Sequence, residues 1–286
     1  MIFGVNGLVG QYTCKLLATD FELVRISKSG DVDYTADCSD AEALDGILKK
    51  ETPDIVVNAA KAKTSADECE GNKNDTWLAN TRLPVNLAKA QARFGYRLIH
   101  ISSDWVYEGK KDDVYSEESL LYPQNFYSYT KAVADEVVQH VCEDYVILRP
   151  EAIFGIDGRQ SNVFCRIKTA MEGNMPIKMN KDQYSQPIYA GLLAMIISKC
   201  CKNGVSGVYN AAGPDYVSRY DLALMFCEEM GWNKELIVAT SCVERSIRIP
   251  QYLRLSINKL ERDILRPPAL KEQIRLFKGE ELCAQK

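Results

Sequence analysis

Short apolar runs alternate along the first half of the chain with longer segments in which apolar residues recur every three or four positions. The short runs predict buried strands, and the longer segments predict helices that cover them. Strands are expected at 1–3, 21–26, 55–57 and 97–101, and helices at 11–18, 41–50 and 75–94. This alternation is typical of an α/β fold built on a doubly wound parallel sheet.

The composition limits the partners that the protein can have. The chain has 286 residues, a formal net charge of −4 and a pI near 5.5, which gives no general attraction to nucleic acid or to an anionic membrane. No basic segment precedes an apolar run at the start, and no apolar stretch is long enough to span a bilayer. We therefore expect a cytoplasmic protein with no nucleic-acid and no membrane partner.

The ten cysteines are scattered along the chain and form no Cys-x-x-Cys pair. The two histidines, His100 and His140, do not lie at metal-ligand spacing from a cysteine. Most of the thiols fall in apolar periodic segments, where cysteine behaves as a small core residue. We expect no metal site and no disulfide.

Three glycines, Gly4, Gly7 and Gly10, follow the first predicted strand. Glycines in this arrangement allow a tight turn and close approach of the backbone to a pyrophosphate, and the third lets the helix pack on the strand. The N-terminus of the next helix supplies an anion site. The pattern predicts a Rossmann-type dinucleotide site with the Gly-x-x-Gly-x-x-Gly spacing of short-chain dehydrogenases.

The end of the second predicted strand indicates which dinucleotide binds. An NAD site usually has an acidic residue here for the ribose hydroxyls, whereas this chain has Ser27 and Lys28, with Arg25 nearby. Hydroxyl groups and cations better suit a 2′-phosphate, so we predict NADP and keep NAD as the alternative. An ordinary polar turn fits the same residues. Asp37 either accepts from the adenine amino group or caps the next helix.

The run Asn58-Ala59-Ala60-Lys61 lies at the carboxyl edge of the strand at 55–57. Small residues at this edge permit close passage of a cofactor. In the following helix, the Pro84 ring denies a hydrogen bond to the Asn80 carbonyl. We hypothesise that this carbonyl points at the catalytic site; a simple kink is the alternative.

Ser103 follows the strand at 97–101, and a Tyr-x-x-x-Lys step joins Tyr127 to Lys131. Residues four apart share one helix face, so the phenol and the ammonium can meet one partner, and the lysine should lower the tyrosine pKa towards neutrality. Ser103 would bond a substrate carbonyl while Tyr127 protonates it and a hydride arrives. Alone, the Tyr-x-x-x-Lys spacing more often marks a solvated pair. The glycine turn, the serine and this helix in one order indicate a reductase.

The chain resembles the extended short-chain dehydrogenase/reductases, and among them the dTDP-4-dehydrorhamnose reductase group, over essentially its whole length. The matching segments are 4–10, 58–60, 100–107, 127–131, 148–155, 162–164, 182–187, 218–223, 255–256 and 259–260. The resemblance implies that NADPH or NADH reduces the 4-keto group of a nucleotide-linked 6-deoxysugar, as in dTDP-L-rhamnose biosynthesis. It also implies an NADP-binding Rossmann domain at 1–151, to which 184–212 returns, and a smaller C-terminal substrate lobe formed by 152–183 and 213–286.

The same resemblance assigns roles to individual residues. The catalytic residues it implies are Ser103, Tyr127 and Lys131, with Lys131 also holding the nicotinamide ribose. The cofactor contacts it implies are Gly4, Asn6, Gly7, Leu8, Val9, Gly10, Ser27, Lys28, Asp37, Cys38, Asn58, Ala59, Ala60, Lys61, Tyr127 and Lys131. The substrate contacts it implies are Ser103, Asp104, Tyr127 and Gln186.

Three positions depart from the family pattern. The reductases commonly carry an aromatic residue shortly after the Leu-Arg step, where this chain has Glu151-Ala152-Ile153. Some members have an acidic metal ligand just past the third glycine, where this chain has Tyr12, so we expect no intersubunit Mg²⁺. Ser128 replaces a common glycine. These differences leave the fold unchanged but leave the identity of the sugar open.

Two other functions fit the same family resemblance. The regulatory β subunit of methionine adenosyltransferase keeps the fold, binds NADP and attaches to its catalytic partner through a C-terminal tail, and this chain ends in a polar extension at 278–286. A nucleotide-sugar epimerase or dehydratase would retain tightly bound NAD and show no net oxidation. The sequence also leaves open whether the protein forms a homodimer.

Overall fold

The protein is built around a seven-stranded parallel sheet with helices on both faces. The computed structural model describes residues 1–156, 162–242 and 246–284. The strand order is β3-β2-β1-β4-β5-β6-β9. These strands are β1 (Ile2–Phe3), β2 (Arg25–Ser27), β3 (Tyr34–Thr35), β4 (Ile55–Asn58), β5 (Arg97–Ile101), β6 (Tyr145–Pro150) and β9 (Gly207–Ala211). The predicted Rossmann-type α/β fold is confirmed.

The strand order reverses at β1, which pairs with β2 on one side and with β4 on the other. The loops after β1 and β4 therefore diverge at the carboxyl edge of the sheet and leave a crevice, which is where doubly wound folds bind their ligands. The central strands β4, β5 and β6 are almost wholly buried and apolar, as expected of strands covered on both faces.

Ten helices are present in the described ranges. They are α1 (Leu8–Leu17), α2 (Ala41–Glu51), α3 (Lys73–Trp77), α4 (Leu83–Phe94), α5 (Phe126–Val141), α6 (Val163–Glu172), α7 (Ala190–Lys202), α8 (Arg219–Met230), α9 (Asn258–Asp263) and α10 (Leu270–Ala284). The start of α2 follows the prediction, because the Asp40 side chain accepts from the Glu42 N–H as N-cap. Asn125 and Ser128 form a capping box that fixes the start of α5.

The single helix predicted at 75–94 is interrupted by a π-helical turn at Leu78–Arg82. The Leu83 N–H bonds the Leu78 carbonyl, five residues back, immediately before Pro84, which has no N–H to donate. The Asn80 side chain bridges the Ala62 N–H at 2.9 Å and the Thr130 hydroxyl at 3.1 Å. The hypothesis that the Asn80 carbonyl points at the catalytic site stays a prediction.

The C-terminal part adds two small sheets beside the large one. The strand β7 (Ile177–Asn180) pairs in parallel with β11 (Ile237–Thr240), and β8 (Tyr184–Ser185) pairs antiparallel with β10 (Val217–Ser218). Between them, β9 joins the large sheet beside β6. The chain therefore returns to the large sheet at β9 between its two visits to the small sheets. The predicted domain boundaries stay a prediction.

Within the described stretches, none of the helices combines the length and the apolar character needed to cross a membrane.

The cysteine side chains that the structure describes are nine free thiols, seven of them buried. Burial raises the pKa of the Cys142 thiol to about 12 and that of Cys38 to about 11. The thiols of Cys142 and Cys38 therefore stay protonated at neutral pH and pack as small apolar residues. The predicted contact between Cys38 and the cofactor stays a prediction.

Candidate active site

The glycine turn connects β1 to α1 at the carboxyl edge of the sheet. Gly4 has a φ of +79°, and a Cβ there would lie 2.6 Å from the backbone of the turn after β4. A Cβ on Gly10 would lie 2.3 Å from the Gly4 carbonyl oxygen. Gly7, the N-cap of α1, offers no side chain to the first turn, whose N–H groups at Leu8 and Val9 have no partner within the helix. The turn thus fits a pyrophosphate, which needs close backbone approach and N–H donors.

Gly10→Ala is expected to weaken both NADPH binding and stability, because the new methyl group must push the turn apart. Overpacking of this kind costs about 1–3 kcal/mol. Thermal unfolding and a fluorescence titration with NADPH measure the two effects. Gly46→Ala in α2 is the matched control: a Cβ there meets no described atom within 4 Å, and alanine should stabilise the helix by about 0.5–1 kcal/mol. Wild-type NADPH affinity in Gly10→Ala would contradict the close approach.

The predicted adenosine side of the crevice lies at the ends of β2 and β3. The Asn6 side chain donates to the Ser27 hydroxyl at 3.0 Å. The Lys28 ammonium pairs with Asp37 at 2.7 Å, and both side chains are 48% exposed. An ion pair this exposed contributes little to stability, so Lys28 can exchange Asp37 for a phosphate group at small cost.

Arg25, which the sequence placed near this site, also has an exposed acidic partner. Its guanidinium bonds the Asp33 carboxylate at 3.0 and 3.2 Å, and its backbone N–H donates to the same carboxylate at 2.8 Å. The expectation that Arg25 assists Lys28 stays a prediction.

The turn after β4 forms the wall opposite the glycine turn. The Asn58 carbonyl oxygen Oδ1 accepts from the Ala60 N–H at 3.2 Å, so the amide nitrogen Nδ2 faces His100 Nδ1 at 3.2 Å. His100 Nδ1 is then the acceptor. Burial and the nearby Lys131 lower the pKa of this imidazole well below its usual value, so it is neutral. The buried His100 thereby fixes the Asn58 side chain, which in turn holds the Ala60 N–H. The turn after β4 is thus held close to Gly4.

The three predicted catalytic side chains come together beyond the end of β5. Ser103 follows this strand, and its hydroxyl accepts from the Trp105 N–H at 3.2 Å. Tyr127 lies in the first turn of α5, and its ring packs edge-on against Trp105, two residues after Ser103, with ring centroids 5.9 Å apart. Lys131 lies one turn further on, buried, with its ammonium donating to the Ile101 carbonyl at 2.9 Å. A hydroxyl, a phenol and an ammonium therefore face the same edge of the sheet as the glycine turn.

The protonation states differ from those predicted from the sequence. Burial raises the pKa of the Tyr127 phenol to about 12, against a smaller opposing effect of Ser103. Burial lowers the pKa of Lys131 to about 8, with Asp135 opposing and Lys61 adding to this decrease. The expected lowering of the tyrosine pKa is wrong for this structure, because the ammonium is directed at a backbone carbonyl. A phenol that stays protonated at neutral pH is the form that donates a proton.

A buried ionic network beneath Lys131 was missed by the sequence reasoning. Asp135, one turn after Lys131 in α5, accepts from Arg149 Nε at 2.9 Å. Arg149 also donates to the Tyr107 hydroxyl at 2.7 Å, and this hydroxyl donates to Asn210 at 2.9 Å. The network joins α5, β6 and β9 below the site. The available signal was the spacing of four between Lys131 and Asp135, which places both on one helix face.

Two buried acids at the ends of neighbouring strands were also missed. Asp104 follows β5 and Glu151 follows β6, and these parallel neighbours are in register with Ile101 opposite Leu148. Burial raises the pKa of both carboxyl groups, and the Arg219 guanidinium at the start of α8 opposes the increase in each. From the sequence, Glu151 was only a departure from the family pattern, although its place at a strand end could have marked it.

Gln186, predicted to contact the substrate, has a side-chain amide that bonds two backbone groups. The amide nitrogen donates to the Gly213 carbonyl at 2.9 Å, and the amide oxygen accepts from the Leu255 N–H at 2.5 Å. This amide thereby links the backbone at Gly213 to the backbone at Leu255. The predicted substrate contact of Gln186 stays a prediction.

Two of the departures from the family pattern have structural explanations. The Tyr12 ring packs edge-on against Tyr189, and its hydroxyl accepts from the Ile156 N–H at 3.3 Å. Ser128 is buried and its hydroxyl accepts from the Asn125 N–H at 3.1 Å, which completes the capping box of α5. Across the described residues, no group of three or more His, Cys, Asp or Glu side chains could hold a metal ion.

A Rossmann-type sheet with a glycine turn at its switch point, and with serine, tyrosine and lysine at the next strand edge, places the protein in the class of extended short-chain dehydrogenase/reductases. A family model, the RmlD substrate binding domain, matches residues 1–281. The chain belongs to this family. The resemblance found in the sequence is thereby confirmed.

Individual relatives are similar to the chain over nearly its whole length. The spore coat polysaccharide biosynthesis protein SpsK of Bacillus subtilis is 27% identical and covers 99% of this chain and 98% of its own. The dTDP-4-dehydrorhamnose reductase of Shigella flexneri is 27% identical, with coverage of 92% and 91%. A crystal structure of the Bacillus anthracis dTDP-4-dehydrorhamnose reductase in complex with NADP superposes with a TM-score of 0.90 at 21% identity, covering 98% of both chains.

Proposed function

We propose that this protein is an NADPH-dependent reductase of the 4-keto group of a nucleotide-diphosphate 6-deoxysugar, with dTDP-4-dehydrorhamnose as the first candidate substrate. The observation that carries the proposal is that Ser103, Tyr127 and Lys131 all lie at the end of β5, at the edge of the sheet that also holds the glycine turn. Membership of the RmlD family and the reductases among its relatives support the choice of a nucleotide-sugar substrate.

Each of the three side chains has its own role in the proposed reduction. When bound, NADPH supplies the hydride that reduces the ketone carbon. The Tyr127 phenol, protonated at neutral pH, donates its proton to the ketone oxygen as negative charge develops there. In the structure, the Ser103 hydroxyl donates to an Asp104 carboxyl oxygen at 2.9 Å. With substrate bound, the hydroxyl donates to the ketone oxygen instead. Lys131, whose ammonium has further N–H donors beyond the Ile101 carbonyl, holds positive charge near the phenol.

Lys28→Ala is expected to reduce the preference for NADPH over NADH by roughly tenfold to a hundredfold, because a charged hydrogen bond to the 2′-phosphate contributes about 1.5–3 kcal/mol. The ratio of kcat/KM for the two cofactors measures this preference. Lys202→Ala is the matched control, since Lys202 pairs with Asp20 at 2.8 Å and is similarly exposed. An unchanged ratio in Lys28→Ala would contradict the assignment of the adenosine side.

The function is tested by following NADPH oxidation with a panel of dTDP- and GDP-linked 4-keto-6-deoxysugars. We expect turnover with at least one dTDP sugar, with a hydroxyl group formed at the former ketone carbon in the NMR spectrum of the product. No oxidation with any of the sugars would contradict the proposal.

The same experiment separates the two alternative functions. A regulatory subunit of methionine adenosyltransferase would show no turnover and would co-elute with that enzyme on size exclusion. An epimerase or dehydratase would convert a nucleotide sugar with tightly bound NAD and no net oxidation. The reductases among the full-length relatives favour the main proposal. We infer that the reaction takes place in the cytoplasm, where free thiols such as these persist.

A further inference from the structure

The first turn of α5, which carries the proposed acid, is held by groups from separate parts of the chain. The Phe126 N–H donates to the Glu70 carboxylate, in the segment after β4, at 2.7 Å. The Ser128 N–H donates to the side-chain oxygen Oδ1 of Asn125, the N-cap of the helix, at 2.9 Å. The Asn125 amide nitrogen Nδ2 donates in turn to the Arg248 carbonyl, 123 residues further along the chain, at 2.9 Å. The start of α5 is thus tied to two segments that are distant in sequence.

The Arg248 carbonyl belongs to a short segment, 248–252, that is also bound to β8. The Tyr184 N–H in β8 donates to the Gln251 carbonyl at 2.7 Å. The Tyr184 ring stacks on the Tyr252 ring, with centroids 6.0 Å apart. The 248–252 segment therefore links the small sheet formed by β8 and β10 to the first turn of α5.

Capping alone does not require an amide at position 125. An N-cap side chain has only to accept a hydrogen bond, and serine and aspartate do this as well as asparagine. The amide adds a donor. Because Oδ1 accepts from a backbone N–H and Nδ2 faces a backbone carbonyl, the partners assign both ends of the Asn125 amide. The side chain is 9% exposed, so its donor is directed at the Arg248 carbonyl and not at solvent.

We propose that Asn125 is a positioning residue that couples Tyr127 to the 248–252 segment, so that the phenol is aligned for proton transfer while the small sheet is docked on the start of α5. The inference rests on the proposed function and deepens it, because a general acid must lie within hydrogen-bond reach of the ketone oxygen. Asn125 acts through Tyr127, which lies two residues further along in the turn that it caps. A displacement of about 1 Å can lower a rate by roughly a hundredfold, so a small shift of this turn is sufficient.

Asn125→Asp tests the coupling, because the carboxylate keeps the cap on the Ser128 N–H and loses the donor to the Arg248 carbonyl. We expect kcat for sugar reduction at saturating substrates to fall roughly tenfold to a hundredfold. The dissociation constant for NADPH should stay near the wild-type value, since the glycine turn is unchanged. Asn125→Ser keeps a capping oxygen on a shorter side chain and adds no charge, and it should show the same loss of kcat. Wild-type kcat in Asn125→Ser would overturn the proposal, because a loss in Asn125→Asp would then be an effect of the added charge.

Asn86→Asp is the matched control for a loss of stability. Asn86 lies in α4, is 8% exposed, and donates from its amide nitrogen to the Ser39 carbonyl at 2.9 Å. The same substitution there breaks an equivalent bond away from the start of α5. Thermal unfolding should show similar decreases in Tm for Asn86→Asp and Asn125→Asp, whereas Asn86→Asp should keep the wild-type kcat at saturating NADPH. An equal loss of kcat in Asn86→Asp would indicate a purely structural effect and would overturn the proposal.

Hydrogen exchange tests the coupling without turnover. In Asn125→Asp and Asn125→Ser, the backbone amides of residues 126–131 should exchange faster than in the wild type, even though the capping oxygen is retained. In Asn86→Asp, these amides should exchange at the wild-type rate. Unchanged exchange in both Asn125 variants overturns the proposal. If exchange changes as expected but the wild type reduces no sugar, the proposed function fails while the coupling stands.

Discussion

Tyr127→Phe is expected to lower kcat for sugar reduction by about a hundredfold to ten-thousandfold, which is the usual contribution of a positioned general acid. The change removes only the hydroxyl, which is protonated at neutral pH because burial raises its pKa to about 12. The edge-on contact between this ring and Trp105, with centroids 5.9 Å apart, is available to phenylalanine as well. NADPH binding should therefore persist. Steady-state NADPH oxidation and a fluorescence titration with NADPH measure the two properties.

The matched control lies two residues further along the same helix. Tyr129 is 49% exposed and stacks on Phe126, so Tyr129→Phe should keep the wild-type kcat. Wild-type turnover in Tyr127→Phe would remove the proposed mechanism. Loss of both turnover and NADPH binding, together with a changed circular dichroism spectrum, would instead indicate that the variant has lost its fold.

Arg149→Met is expected to have the largest effect on stability, a loss of about 3–5 kcal/mol, the usual result of removing one partner of a buried ion pair. Arg149 is 1% exposed and donates to Asp135 and to the Tyr107 hydroxyl. Methionine fills similar space but leaves the Asp135 carboxylate buried beside an apolar side chain. Urea unfolding, followed by circular dichroism, gives the change in the free energy of unfolding.

Two comparisons isolate the charge effect from simple loss of packing. Arg93 pairs with Asp45 through two hydrogen bonds on the surface, so Arg93→Met should cost no more than about 1 kcal/mol. The double variant Arg149→Met with Asp135→Leu removes both charges of the pair and should be more stable than Arg149→Met alone. If the double variant is the less stable of the two, packing rather than charge explains the loss.

The sequence was sufficient for features that depend on local chemistry. Glycine spacing predicts a turn because only glycine tolerates the backbone contact at Gly4 and Gly10. Apolar runs predict strands because both faces of a parallel sheet are buried, and β5 at Arg97–Ile101 agrees with its prediction. Since carboxyl ends of parallel strands share one edge, the order of motifs also predicted that Ser103 and Tyr127 approach the glycine turn.

The sequence misled where a side chain had a choice of partners. Lys131 has the spacing to act on Tyr127, yet its ammonium donates to the Ile101 carbonyl and burial dominates the phenol pKa. Sequence spacing limits which side chains can come into contact. Competing partners decide which interaction forms, and burial decides which groups are charged.

Thus the sequence by itself determined the Rossmann-type fold and the family, and it supplied the proposed reactive side chains, because turn chemistry, hydrophobic periodicity and motif order depend on neighbouring residues. Only the tertiary structure showed that Asp104 and Glu151, which follow two neighbouring strands, are both buried and that burial raises the pKa of each carboxyl group. Protonation depends on the surrounding solvent and charges, and these come from segments far apart in the chain. The three proposed reactive groups were readable in the sequence, whereas their protonation states were decided by packing.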